Sequence, residues 1–114
     1  MTDKELLELA VKAAGEYHGV WSNKANAFIK PYGEDFIEWN PLTDDGDALR
    51  LAVKLRIEIG FDPKAVQTTS ITHAHEVDGQ TICPWAWAEL TPDPYAATRR
   101  AIVRAAALIG KEMK

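Results

Sequence analysis

A chain of 114 residues has room for one hydrophobic core, since two halves would each be too small to bury their own, so a single domain over residues 1–114 is expected. Hydrophobic residues at 46% and charged residues at 26% exclude a largely disordered chain, and a formal net charge of −4 leaves no global basic field to draw it onto nucleic acid or anionic membrane. Cys83 has no second cysteine to pair with, the acidic start Met1-Thr2-Asp3-Lys4-Glu5 is unlike a secretion signal, and no segment approaches the roughly 20 apolar residues of a membrane span; the expectation is a cytosolic protein without a membrane partner.

Thr2-Asp3-Lys4-Glu5 reads as a capping box, in which hydroxyl and carboxylate each satisfy an amide of the other residue. It predicts a helix from Asp3 to Ala14, with Leu6, Leu9, Ala10 and Ala13 on one side, Lys4, Glu8 and Lys12 on the other, and Gly15 as a left-handed cap. After Tyr17, short apolar pieces alternate with turn residues. Ala27 to Lys30 and Asp35 to Trp39 form an expected hairpin reversed by Pro31-Tyr32-Gly33, with Val20-Trp21 a candidate third strand.

The stretch from Trp39 to Leu55 leads from strand to helix. Pro41 cannot continue a ladder, and Thr43, Asp44 and Asp45 suit a helix start, so the second helix begins near Asp44. Its spacing sets Ala48, Ala52, Leu55 and Ile59 inward, and Asp47, Arg50, Lys54 and Glu58 outward, with Lys54 facing Glu58. The tail from Leu55 to Ile59 alternates apolar and charged and fits a strand equally well.

Phe61-Asp62-Pro63-Lys64 is a turn-rich connector. Ala65 to Glu76 is rich in β-branched residues, Asp78-Gly79 is a hairpin signal, and the partner strand is Thr81 to Leu90, where Pro84 requires an edge or a bulge. Asp93-Pro94 opens the last helix, with Thr98, Ile102, Ala105 and Ile109 inward, Arg100, Arg104 and Lys111 outward, and many alanines that imply close packing. Arg50, Val53, Lys54, Ile59 and Gly60 faintly echo Arg100, Val103, Arg104, Ile109 and Gly110, as a duplicated ββα unit would. The fold class is α+β: an antiparallel sheet of four to five strands packed with three helices in the order αββαββα.

The runs Trp39 to Leu55 and Asp93 to Ala107 resemble segments of the phage ABA-sandwich domain family, small uncharacterised proteins of temperate bacteriophages, with weaker agreement over Glu5 to Ala10. The resemblance implies an α-β-α sandwich and a phage or prophage origin, hence a host bacterial cytosol. It implies no activity and no catalytic positions. Phe61 to Glu89 matches no family pattern.

His73 and His75 share a strand face at a spacing that can hold a metal, against the plainer reading of exposed or hydrogen-bonded histidines. A two-residue turn at Asp78-Gly79 sets His75 opposite Ile82, His73 opposite Pro84 and Cys83 opposite Ala74; a three-residue turn brings Cys83 opposite His75. Cys83 shows no neighbouring base, as a nucleophile needs. Asp44, Asp45 and Asp47 lack calcium-loop spacing and read as helix-start charges; Glu34, Asp35 and Glu38 read as a solvated turn rather than an acid–base pair. Arg99, Arg100 and Arg104 form the concentrated basic stripe, able to lie along phosphates but set in a negative chain. Of Trp21, Trp39, Trp85 and Trp87, the last two share a strand face: they lie in the core under the helices or, if exposed, anchor a partner.

With no cofactor loop and no complete acid, base and nucleophile set, the sequence points to a non-enzymatic accessory protein that binds another protein, a host factor or its own copies. Trp85, Trp87, Arg100 and Arg104 are its expected partner-binding residues. The alternatives are a small metal-dependent hydrolase on the His73/His75 face and nucleic-acid binding through the Arg99/Arg100/Arg104 helix.

Overall fold

A computed structural model describes residues 1–70, 75–77, 80–82, 85–90 and 92–113. Helix α1 (Asp3–Ala14) starts and stops where its local chemistry demands. Thr2 Oγ1 accepts from the Glu5 amide at 3.2 Å, Glu5 Oε1 accepts from the Thr2 amide at 3.3 Å, and Gly15 turns left-handed with φ 68°. Its buried residues are Leu6, Leu7, Ala10 and Ala14, so the inward face is rotated from the expected one, and Leu9 and Ala13 are only half-buried.

Strands β1 (Val20–Ser22), β2 (Ala27–Tyr32) and β3 (Asp35–Trp39) form a first antiparallel sheet in that order. Its register aligns Trp21, Phe28 and Trp39, and the Phe28 ring meets each indole edge-on, at 5.5 and 6.2 Å. Tyr32 pairs with Asp35, so the reversal is Gly33-Glu34, with Gly33 at φ 62°, and not Pro31-Tyr32-Gly33. Pro31 is accommodated inside β2 because β1 pairs no further than Ile29. Alternation from the tight Tyr32–Asp35 pair aims the Pro31 nitrogen at that unpaired side, where a missing N–H costs nothing.

Helix α2 (Asp45–Leu55) is capped by Asp44, whose carboxylate accepts from the Asp47 amide at 2.8 Å. Arg56 takes a left-handed conformation, φ 56°, and β4 (Ile57–Phe61) follows at once. Of the two readings of the tail, the strand is the correct one. Ile59 and Glu58 therefore leave the helix faces assigned to them, and Lys54 pairs with Glu16 instead of Glu58. Asp47, expected outward, is buried: one oxygen accepts from the Asn40 amide at 2.9 Å and the other from Arg50 at 2.7 Å.

Asp62 accepts from the amides of Lys64 and Ala65 and turns β4 back into β5 (Ala65–Ser70). Then come β6 (His75–Val77), β7 (Gln80–Ile82) and β8 (Trp85–Glu89). The second sheet has the order β4-β5-β8, while β6 and β7 form a separate two-stranded ladder. Extending the Thr69–Trp85 pairing would set His75 opposite residue 79, yet it pairs with Ile82, so the expected hairpin is two ladders out of step. That His75–Ile82 pairing is the one a two-residue connection requires. Asp78 and Gly79, with His73, Ala74, Cys83 and Pro84, lie outside the described residues. Among the described residues the expected single sheet of four to five strands is not found: β1, β2 and β3 form one three-stranded antiparallel sheet, β4, β5 and β8 another and β6 with β7 a small ladder, and no ladder joins them. The order αββαββα gives way accordingly.

Helix α3 (Pro94–Glu112) is capped by Asp93, which accepts from the Tyr95 and Ala96 amides at 3.0 and 3.2 Å. It is not a one-stripe helix. From Ala101 to Gly110 every residue is buried except Arg104 and Leu108, as befits a helix packed against α1, α2, β4, β5 and β8 together. Gly110 marks the tightest approach: a Cβ there would fall 2.0 Å from the Leu9 carbonyl oxygen. Ile59 and Gly60 lie in a strand while Ile109 and Gly110 lie in this helix, so the internal echo does not correspond to a repeated structure.

The core gathers Leu6, Leu7 and Ala10 of α1, Phe28 and Trp39 of the first sheet, Leu51 and Leu55 of α2, Ile57 of β4, and Ile102, Val103 and Ile109 of α3. Burying a side chain such as Leu7 or Val103 completely contributes roughly 1.5–3 kcal/mol. The face of the second sheet that carries Val66, Ala86 and Ala88 is buried, with Val66 and Ala88 against Ala97 and Ala101 of α3. On its other face, among the described residues, Gln67, Trp85, Trp87 and Glu89 are exposed.

Candidate functional site

The alternation of β8 decides where its tryptophans go. Ala86 and Ala88 face α3, and Trp85 and Trp87 face away, 52% and 47% exposed. On α3 the exposed positions Arg104 and Leu108, with half-exposed Arg100, follow one another at intervals of one turn. Strand edge and helix strip meet in a groove of about 440 Å³ lined by Trp85, Trp87, Arg100, Arg104 and Leu108, with Met1 and Leu6 of the α1 end closing it. All four expected partner-binding residues are thus brought together; the placing of Trp85 and Trp87 in the core under the helices, the commoner expectation for such a pair, is not what the fold adopts, since both are exposed.

The two arginines differ in their bonding. Arg100 meets Asp3 at 3.1 Å, which ties α3 to the start of α1. Arg104 donates to the Trp87 carbonyl at 3.1 Å, and among the described residues no carboxylate lies within ion-pair distance of it. Arg99 points elsewhere: its guanidinium donates to the Leu42 carbonyl at 2.8 Å and to Asp45, joining α3 to the head of α2. The stripe of three arginines is therefore a pair.

The backbone of β8 adds a second feature. Leu90 donates to the Lys64 carbonyl at 3.0 Å, which sets the alternation of the ladder. It directs the amides and carbonyls of Ala86 and Ala88 toward β5, and those of Trp85, Trp87 and Glu89 toward the opposite edge, along which no strand of the described residues pairs. Arg104 on the Trp87 carbonyl agrees with that phase.

A second cavity, of about 460 Å³, lies between α1, α2 and the first sheet, bounded by Glu16, His18, Trp39, Leu49 and Lys54. His18 stacks on Trp39 with ring centroids 4.4 Å apart, and Glu16 is 3.9 Å from its Nε2. Burial pushes the imidazole below its ordinary pKa, partly opposed by Glu16. Sequence spacing gave no sign of this histidine. Its position depends on Gly19, at φ 94°, where a Cβ would collide with the Ile29 carbonyl.

The aspartates near Gly46 are all engaged by the protein: Asp44 caps α2, Asp45 holds Arg99, and Asp47 bridges Asn40 and Arg50. Glu34, Asp35 and Glu38 are exposed, as the solvated-turn reading expected. Of the metal-binding pair, His73 lies outside the described residues, as does Cys83, and His75 is described by its backbone pairing with Ile82. Among the described residues no three His, Cys, Asp or Glu side chains converge on a metal position. Nor, among them, is any helix long and apolar enough to cross a membrane.

No family model, no curated protein and no solved structure matches the chain.

Proposed function

We propose that the chain is a non-enzymatic accessory protein of phage or prophage kind that works by binding another protein, through the groove between β8 and α3. The observation that carries the binding reading is the meeting of Trp85, Trp87, Arg100, Arg104 and Leu108 in one hollow. Tryptophan and arginine dominate the energetics of protein interfaces because they combine large apolar area with directed hydrogen bonding. Two half-exposed indoles on that sheet face are what a partner would cover. The phage attribution is supported by the resemblance of Trp39 to Leu55 and Asp93 to Ala107. The nucleic-acid alternative loses one of its three arginines, since Arg99 is held by Leu42 and Asp45.

The test is a photo-crosslinking amino acid at Leu108 in the full chain, expressed in a bacterial host. A discrete crosslinked protein that disappears when Trp85 and Trp87 are both replaced by alanine is the expected result. No crosslink, or one indifferent to those replacements, would sink the reading.

A further inference from the structure

Resting on that reading, we infer that the groove takes an extended segment of the partner, paired to the outer edge of β8, with carboxylate side chains turned toward Arg104 and apolar ones laid over Trp85 and Trp87. The backbone makes the first part of the case. Among the described residues strand β8 is the last in its sheet, and its outward amides and carbonyls at Trp85, Trp87 and Glu89 are the donors and acceptors that an added strand requires. Arg104 holds one of them, the Trp87 carbonyl, as a placeholder.

Charge makes the second part. An added strand would release Arg104 from the Trp87 carbonyl, and among the described residues the guanidinium has no carboxylate of its own. A carboxylate on the incoming strand satisfies it with a charge-assisted bond. Because strand side chains alternate, residues directed at Arg104 and Leu108 interleave with residues directed at the indole face. Glu89, on that indole face, repels an acid there, so the acidic positions belong on the helix side. Pairing with a second copy is disfavoured by the same electrostatics: two β8 edges related by a two-fold axis would set the Arg100 and Arg104 pairs of both copies in one groove.

The probes are fluorescein-labelled peptides read by anisotropy against the full chain. One alternates valine and glutamate, one alternates valine and lysine, and two are versions of the first with every other amide N-methylated, one for each phase. The valine–glutamate peptide should bind, the lysine peptide should not, and one N-methylated phase should lose binding while the other keeps it, because only one set of amides faces β8. Arg104→Ala should weaken binding by about tenfold or more, with Arg104→Lys recovering part of it. Failure of the valine–glutamate peptide to bind, equal binding of the lysine peptide, or equal binding of both N-methylated phases would overturn the inference. So would a concentration-dependent dimer abolished by Arg104→Ala, which would assign the groove to a second copy. If the Leu108 crosslink persists while the peptide fails, the strand inference falls and the binding reading stands; if neither is seen, both fall.

Discussion

Asn40 carries the junction between the first sheet and α2 on its polar atoms. Its amide donates to Asp47 at 2.9 Å, its side-chain nitrogen to the Asn26 carbonyl at 3.0 Å, and its side-chain oxygen accepts from the Leu42 amide at 2.9 Å. Asn40 and Asp47 are both buried, so removing the Asp47 carboxylate leaves the Asn40 backbone amide without its acceptor. Asp47→Ala is expected to lower unfolding free energy by about 1–3 kcal/mol, read from urea denaturation midpoints. A change below a few tenths would show that the bridge contributes little. His18 makes the second residue-scale prediction. Burial favours its neutral form, and Lys30 and Lys54 act the same way, against Glu16 and Asp47. Its folded pKa is therefore below the unfolded value near 6.5, and the unfolded chain takes up the proton first as pH falls. The stability linked to this group is complete above that unfolded value and is lost as pH drops through the folded one. His18→Phe keeps a ring on Trp39 and should flatten the fall in urea midpoint over this window; an unchanged fall would remove His18 as its cause.

At the scale of elements, the ends of the helices were legible because capping is decided within one turn. Thr2 with Glu5, Asp44 with Asp47, and Asp93 ahead of Pro94 all act as their spacing predicts. The tail of α2 was not legible. Leu55 to Ile59 satisfies both periods, and what ends the helix is Arg56 in a left-handed conformation that no residue pattern announces. Crossings are equally hidden, since a glycine near a helix end looks like a cap. Gly110 is instead the contact point of α3 with the Leu9 backbone. Gly110→Ala should therefore cost about 1–3 kcal/mol or more through overpacking, whereas Leu108→Ala, at a position 39% exposed on the same helix, should cost well under that. Thermal denaturation of the two variants distinguishes a tight crossing from a helix end, and equal melting temperatures would contradict it.

Across the whole molecule, α3 is the shared element, in contact with both other helices and with all three strands of the second sheet. The first sheet joins the same core through Phe28 and Trp39. Unfolding should then be one cooperative event. Fluorine-labelled tryptophan offers reporters at both ends, Trp21 and Trp39 in the first sheet and Trp85 and Trp87 in the second. All four signals should change at one urea midpoint, and separate midpoints for the two pairs would mean that the sheets unfold independently. What could be read along the chain were the features settled by near neighbours: the helix starts, the α+β composition, and the burial of Leu55 and Ile102. Which face of β8 turns inward was not settled by hydropathy, because one alternation sets two large indoles beside Glu89 and the other offers only the small Ala86 and Ala88. The choice rests on a neighbour distant in sequence, for a helix that presents Ala97 and Ala101 lies close enough to the sheet to admit the methyls of Ala86 and Ala88 but not two indoles, and so Trp85 and Trp87 are left on the outside.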